Sequence, residues 1–297
     1  MKPSTGSDKT LWAELLPHEF RSRLAACPVV YLPLGLCEPH GQVSAFGLDL
    51  IKAEWLCREA ARRVGGVVAP SMGYHIHEAG YHARWLEEEV GEENPHLTSV
   101  PPEMMISFFI YQLRAFANAG FRAVVVLTGH SGGNQADLRR AAERFTARTG
   151  VPVWVRSDPE LVEGLYTGDH AGKFELSQLM YIRPDLVDMT ARSWEEVPGA
   201  GGRLALGSDA DESNPELGRA IMEACLARLC EEAERLAAEG RALAQSGARV
   251  ERLTFADAEA IRAEALREAD SWATAAPWPG QRPVSPSSQW KPYEWLK

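Results

Sequence analysis

Val29-Val30-Tyr31-Leu32-Pro33-Leu34, continued by Gly35-Leu36-Cys37-Glu38-Pro39-His40-Gly41, decides how this chain is read. An apolar run without polar alternation reads as a strand buried on both faces, the kind found in parallel sheets covered by helices. Glu38 and His40 follow at its carboxyl end, where open α/β sheets gather their ligands, and a spacing of two sends both side chains the same way. Asp49 comes nine residues after His40, so three metal-capable side chains fall within twelve positions.

Outward from that run, strand and helix patterns alternate. Apolar residues recur at helical spacing from Asp49 to Val64, Gly65-Gly66 ends that helix, and Val67 to Pro70 reads as a short strand. Pro102 opens a helix through Asn118, closed at Gly120, and Ala123 to Leu127 is a second fully apolar strand. Asn134 is read as the cap of a helix to about Thr149, and Val151 to Val155 as a fourth strand. Lys173 to Ile182 reads as a helix stopped by Pro184; after a Gly-rich loop at 198–202, Asn214-Pro215 starts a long helix to about Ala244. The alternation predicts a single-domain, layered α/β fold over residues 1–270, with a mostly parallel central sheet flanked by helices. Residues 71–101 read as a long polar loop, a candidate lid or substrate wall. Residues 271–297 form a Pro/Trp-rich tail with Trp272, Trp278, Trp290 and Trp295, expected to pack on the domain or on a neighbouring subunit.

Composition narrows the function classes. A formal net charge of −10 over 297 residues, with no basic cluster, argues against nucleic acid as a partner and favours a small-molecule substrate, neutral or cationic. The five cysteines are odd in number and widely spaced, with no Cys-x-x-Cys pair, which suits a reducing compartment. No apolar run approaches the length of a membrane span and no signal-peptide core opens the chain, so the expectation is a cytoplasmic protein without a membrane partner.

Two later segments extend the metal-capable set: Thr128-Gly129-His130-Ser131-Gly132-Gly133-Asn134 and Asp169-His170-Ala171-Gly172-Lys173-Phe174-Glu175-Leu176-Ser177. Glu38, His40, Asp49, His130 and Glu175 together offer three carboxylates and two imidazoles, a donor set for Zn²⁺, Mn²⁺ or Fe²⁺. That is enough for two divalent ions sharing Asp49, one polarising a carbonyl while a bridging hydroxide attacks. Structural alternatives stand beside this reading: Asp49 as a helix cap, the glycines around His130 as a phosphate-cradling turn, Asp169 as a cap beside a solvated His170. His75, His77, His82 and His96 lie in the 71–101 segment and are read as substrate contacts, a third metal site or plain polar surface. Ser131, Gly132, Gly133, Asn134, Asp169 and His96 are the substrate-binding candidates.

The strings LPLGLCEPHGQVSAFGLD, LTGHSGGN and GDHAGKFELS resemble the three signature segments of the creatininase family, and the similarity runs from about Val29 to Met180, with a weaker echo over 207–219. The resemblance implies a dinuclear metal centre, hydrolysis of a small cyclic or linear amide at a C–N bond, and a homo-oligomer, often a hexamer. It assigns Glu38, Asp49 and His130 to one metal and His40, Asp49 and Glu175 to the other, with His170 as proton shuttle. Gly132 stands where creatininase proper carries a Glu, so the second metal relies on Glu175, as in the Gly-Gly-Asn branch. Other departures are Ser131 in place of a Gly, Leu176 where Thr is common, and no residue between Asp169 and His170. Family members also include a formamide hydrolase, a peptidase and hydrolases of oxidised sugars or inositols, and a non-catalytic metal-binding scaffold is the alternative from another class.

Overall fold

Four parallel strands make the centre of the computed structural model: β1 (Val29–Leu34), β2 (Val67–Val68), β3 (Ala123–Thr128) and β4 (Val153–Ser157), in the order β2-β1-β3-β4. The structure describes residues 9–91, 96–196, 204–245 and 251–291. The expected Gly-rich loop at 198–202 and Trp295 lie outside the described residues. In chain order the helices are α1 (Pro17–Ala26), α2 (Leu48–Arg63), α3 (Tyr81–Glu89), α4 (Pro102–Ala119), α5 (Asn134–Thr149), α6 (Asp158–Leu161), α7 (Lys173–Ile182), α8 (Pro215–Gln245) and α9 (Phe255–Leu266).

β1 pairs with β3 along its whole length, from Val29 opposite Ala123 to Leu34 opposite Thr128, and every residue of both strands is buried. Period-two geometry divides their side chains between two layers. Val30, Leu32, Leu34, Val124 and Val126 join Phe109 and Leu113 of α4, Leu138 and Phe145 of α5 and Ile261 of α9. Val29, Tyr31, Ala123, Val125 and Leu127 join Leu56 and Cys57 of α2 and Ile221, Met222 and Leu229 of α8. Each large side chain so buried contributes roughly 1.5–3 kcal/mol, which explains why the central strands carry no charge. No helix among the described residues is long and apolar enough to cross a membrane.

The chain runs from β2 on one side of β1 to β3 on the other, so the strand order reverses between β1 and β3. Their carboxyl ends therefore flank the crevice in which such sheets bind ligands. The 71–101 segment differs from its reading as a polar loop: it contains α3, with Tyr81, His82, Ala83 and Leu86 buried. Its apolar positions are four residues apart only from Ala79 onward, too short a run to stand out from the polar surroundings. Asn134 is likewise not the cap of α5; Gly133 holds that position at φ 90° and Asn134 is the first helical residue.

Candidate metal centre

All the predicted ligands converge at the carboxyl ends of β1 and β3. Glu38 and His40 leave β1, His130 leaves β3, Asp49 sits in the first turn of α2 and Glu175 in the first turn of α7. Glycines make the approach possible. A Cβ on Gly35 would lie 2.5 Å from Leu50 N, and one on Gly129 would lie 2.0 Å from Asp49 O. Only glycine lets the first turn of α2 drop between the two strand ends and bring Asp49 into the crevice. Asp49 is thus the second residue of a helix capped by Gly47, not the cap itself.

Asp49 faces both ways. Its Oδ1 lies 3.4 Å from His40 Nε2 and its Oδ2 lies 3.4 Å from His130 Nδ1. His130 Nδ1 is 2.8 Å from Glu38 Oε1, and His40 Nε2 is 3.4 Å from Glu175 Oε2. His40, Asp49 and Glu175 form one group able to hold a metal ion; Glu38, His77 and His130 form another. His40 Nδ1 donates to Glu38 O at 3.1 Å, which leaves Nε2 as its ligand atom and fixes the ring. Glu38 Oε1, His40 Nε2 and both carboxylate oxygens of Asp49 are buried without a hydrogen-bond partner. Unpaired polar atoms at such burial cost several kcal/mol in a folded protein unless a cation satisfies them, and the mixed carboxylate and imidazole set suits a divalent ion.

The electrostatics agree. Burial opposes the charge on Glu38, yet the His130 and His77 imidazoles hold its carboxyl well below the usual range. Burial likewise disfavours charged His130, but Glu38 and Asp49 push its pKa up to about 10, and Asp49 with Glu175 raises His40 in the same way. Carboxylates that draw protons onto two imidazoles form a site with surplus negative charge, which a cation relieves.

Two positioning groups, Lys52 and Asp158, escaped sequence reasoning, and a third, His77, is read from sequence only as a substrate contact, part of a third metal site or polar surface. His77 Nε2 bonds Glu38 Oε2 at 2.6 Å. Lys52, fully buried, places Nζ 2.7 Å from Glu175 Oε1 and 3.3 Å from Asp158 Oδ2. Burial raises the Asp158 carboxyl to about 6 despite the nearby ammonium. A signal for Lys52 existed: Leu48, Lys52, Leu56 and Ala60 are spaced by four, so a lysine stands in the buried stripe of α2.

His170 Nε2 lies 2.9 Å from Pro39 O, and its ring stacks on His40 at 4.7 Å and meets Trp85 edge-on at 4.9 Å. Asp169 does not orient that ring. Its carboxylate accepts from the backbone of Gly172, Phe174 and Glu175, which caps α7 and holds the Glu175 turn. A cleft of about 160 Å³ opens on these groups, with Ser131, Gly132 and Asp169 in its lining beside Glu38, His130 and His170. Gly133 and Asn134 are not in that lining; Asn134 Nδ2 donates to Ser131 O at 2.6 Å. His96 is exposed, edge-on to Phe46 at 6.0 Å, and also outside the lining, whereas His77 and His82 are part of it.

Comparison with known proteins fits this arrangement. The profile of the creatininase family, described as creatinine amidohydrolase, matches residues 13–233. Creatinine amidohydrolase of Pseudomonas putida is 28% identical over 196 residues, 59% of this chain and 73% of that protein. The 3-dehydro-scyllo-inosose hydrolase of Thermotoga maritima is 28% identical over 135 residues, 46% of this chain and 40% of that protein. A manganese creatininase structure superposes with a TM-score of 0.63 at 23% identity, covering 77% of this chain and 99% of that one. A mutant creatininase of Zn–Zn type gives 0.64 at 23% identity, covering 78% and 99%. At that identity the likeness is one of fold.

Proposed function

The chain belongs to the creatininase family, and from that premise we propose that it is a metal-dependent amidohydrolase holding two divalent ions side by side, with Asp49 shared between them. One observation carries the reading: the two oxygens of a single buried carboxylate, neither hydrogen-bonded, face His40 on one side and His130 on the other at the same 3.4 Å. Glu38 and His130 complete one ligand set with Asp49, and His40 and Glu175 the other. The names of the manganese and Zn–Zn creatininases whose fold it shares support Mn²⁺ or Zn²⁺ as the ions.

When bound, such ions polarise a carbonyl and lower the pKa of a shared water. The rest falls to the chain's own residues. Lys52 and the Ala171 N–H hold one oxygen each of Glu175, at 2.7 and 2.9 Å, so the carboxylate keeps a fixed orientation. His77 and the His40 contact to Glu38 O hold the other side. His170 donates Nε2–H to Pro39 O, so Nδ1 is the atom that can take up a proton and pass it to the leaving nitrogen. Burial lowers the pKa of His170, which keeps the ring neutral and able to accept that proton.

Elemental analysis together with a turnover screen over cyclic amides and formamides tests the proposal. The expected result is about two ions per chain, and hydrolysis of at least one amide that stops on chelation and returns with Zn²⁺ or Mn²⁺. A protein that binds neither ion refutes it.

A further inference from the structure

The family match ends at residue 233, yet the segment from Trp272 to Lys291 reaches the cleft. Its anchors are strong. Trp272 is buried in the core, and the Asp137 carboxylate of α5 accepts from Ala273 N at 2.8 Å, Thr274 N at 2.9 Å and Thr274 Oγ1 at 2.6 Å. A Cβ on Gly80, just before α3, would lie 2.5 Å from Thr274 O, so the segment presses on the start of that helix. At the other end of α3, Trp290 Nε1 donates to Gly91 O at 2.6 Å. Between these anchors Gln281 Nε2 donates to Tyr81 O at 3.0 Å, and the Trp278 ring stacks on Tyr81 at 4.3 Å and 14°. Trp278 lines the cleft and remains 56% exposed at its mouth.

Several polar groups of this wall are engaged by the protein itself, while His82 Nδ1 and His130 Nε2 are buried without a hydrogen-bond partner. Tyr81 Oη donates to Gly132 O, the Asp169 carboxylate caps α7, and His170 Nε2 bonds Pro39 O. Recognising a polyol takes several convergent donors and acceptors, because each hydroxyl stripped of water must find a partner. Here a few imidazole nitrogens are all that is left unpaired, the mouth of the cleft offers a ligand the aromatic faces of Trp85 and Trp278, and among the described residues no Lys or Arg lines the cleft to pair with an anion.

Resting on the amidohydrolase reading, we infer that the Trp272–Lys291 segment is part of the substrate site and that Trp278, with Trp85, determines specificity for a flat, uncharged amide carrying a ring, against polyhydroxylated substrates. Trp278 contacts the substrate's plane and plays no part in bond cleavage.

The test is calorimetric titration of the metal-loaded full chain with benzamide as the flat probe and scyllo-inositol as the polyol probe, for the parent, Trp278→Ala and Trp278→Phe. Benzamide is expected to bind more tightly than the inositol. Trp278→Ala should weaken benzamide about two- to tenfold, the fold-change of one aromatic pair, while Trp278→Phe keeps most of the affinity. With a hydrolysed amide, the loss should appear in KM rather than kcat. Benzamide affinity unchanged in Trp278→Ala, or an inositol bound more tightly than benzamide, overturns the inference. Binding does not require turnover, so the two readings fail separately. An intact Trp278 effect without hydrolysis of any amide defeats only the amidohydrolase proposal; hydrolysis with no Trp278 effect defeats only this one.

Discussion

Lys52 Nζ lies 2.7 Å from Glu175 Oε1, with the lysine fully buried and the glutamate nearly so. An ammonium buried that deeply persists only because carboxylates flank it, here Glu175 on one side and Asp158 on the other. The pair joins the buried stripe of α2 to the first turn of α7 and so fixes the relation between Asp49 and Glu175.

Lys52→Met should therefore leave two buried carboxylates without their cation. Removing one partner of such a pair typically costs about 3–5 kcal/mol, and urea unfolding of the metal-free protein is expected to show a loss of that size. A loss below about 1 kcal/mol would mean that the pair does not hold the two helices.

Asp49→Asn probes the shared carboxylate. The residue is not the cap of α2, so the helix should persist in circular dichroism. Metal content should fall for both ions together, since one side chain serves both ligand groups. Loss of a single ion per chain would show that Asp49 is not shared.

Gly129→Ala tests the packing behind the site. The added methyl would fall 2.0 Å from Asp49 O, a backbone atom that cannot swing aside. Overpacking of this kind costs typically about 1–3 kcal/mol, and the first turn of α2 should shift enough to weaken metal binding. The checks are a melting curve and a metal titration; unchanged affinity for both ions would show that α2 can move without disturbing the ligands.

His170→Ala should lower kcat by about two to four orders of magnitude, the usual contribution of a positioned acid or base. Both metals should remain, because His170 belongs to neither of the ligand sets proposed above, although it lies close enough to Glu38 and His40 to form a group able to hold an ion. Glu38→Ala, by contrast, should lose metal. An ion missing from His170→Ala would make that histidine a ligand instead.

Cys37 lies inside the first motif but belongs to none of the groups able to hold a metal ion among the described residues. Its backbone N–H donates to Thr98 Oγ1 at 2.8 Å and its carbonyl accepts from Thr98 N at 3.0 Å. Cys37→Ala should keep metal content and most turnover. Complete loss of turnover with metal retained would point to a thiol nucleophile.

The layered α/β fold could be read from the chain because β1 and β3 carry unbroken apolar runs and because glycine and proline mark the helix ends. The bounds of β1 and of the helix Lys173–Ile182 are those expected. The convergence of Glu38, His40, Asp49, His130 and Glu175 was also legible, since each stands next to the end of a strand or the start of a helix and such ends meet at one edge of a parallel sheet. α3 was not legible: its helical spacing is short and its buried face includes Tyr81 and His82, side chains that on paper look like polar surface.

What the sequence determined by itself was the set of strands, the side of the sheet on which chemistry can occur, and the donor types gathered there, because periodicity and strand ends are local properties. The tertiary structure alone decided which partner each donor meets. Lys52 became a buried counter-ion, His77 a partner of Glu38 and Trp278 a wall of the cleft, each through contacts across 39 to 197 residues. Such contacts depend on how helices seat on the sheet, set by close approaches such as Gly129 against Asp49 that no local pattern encodes.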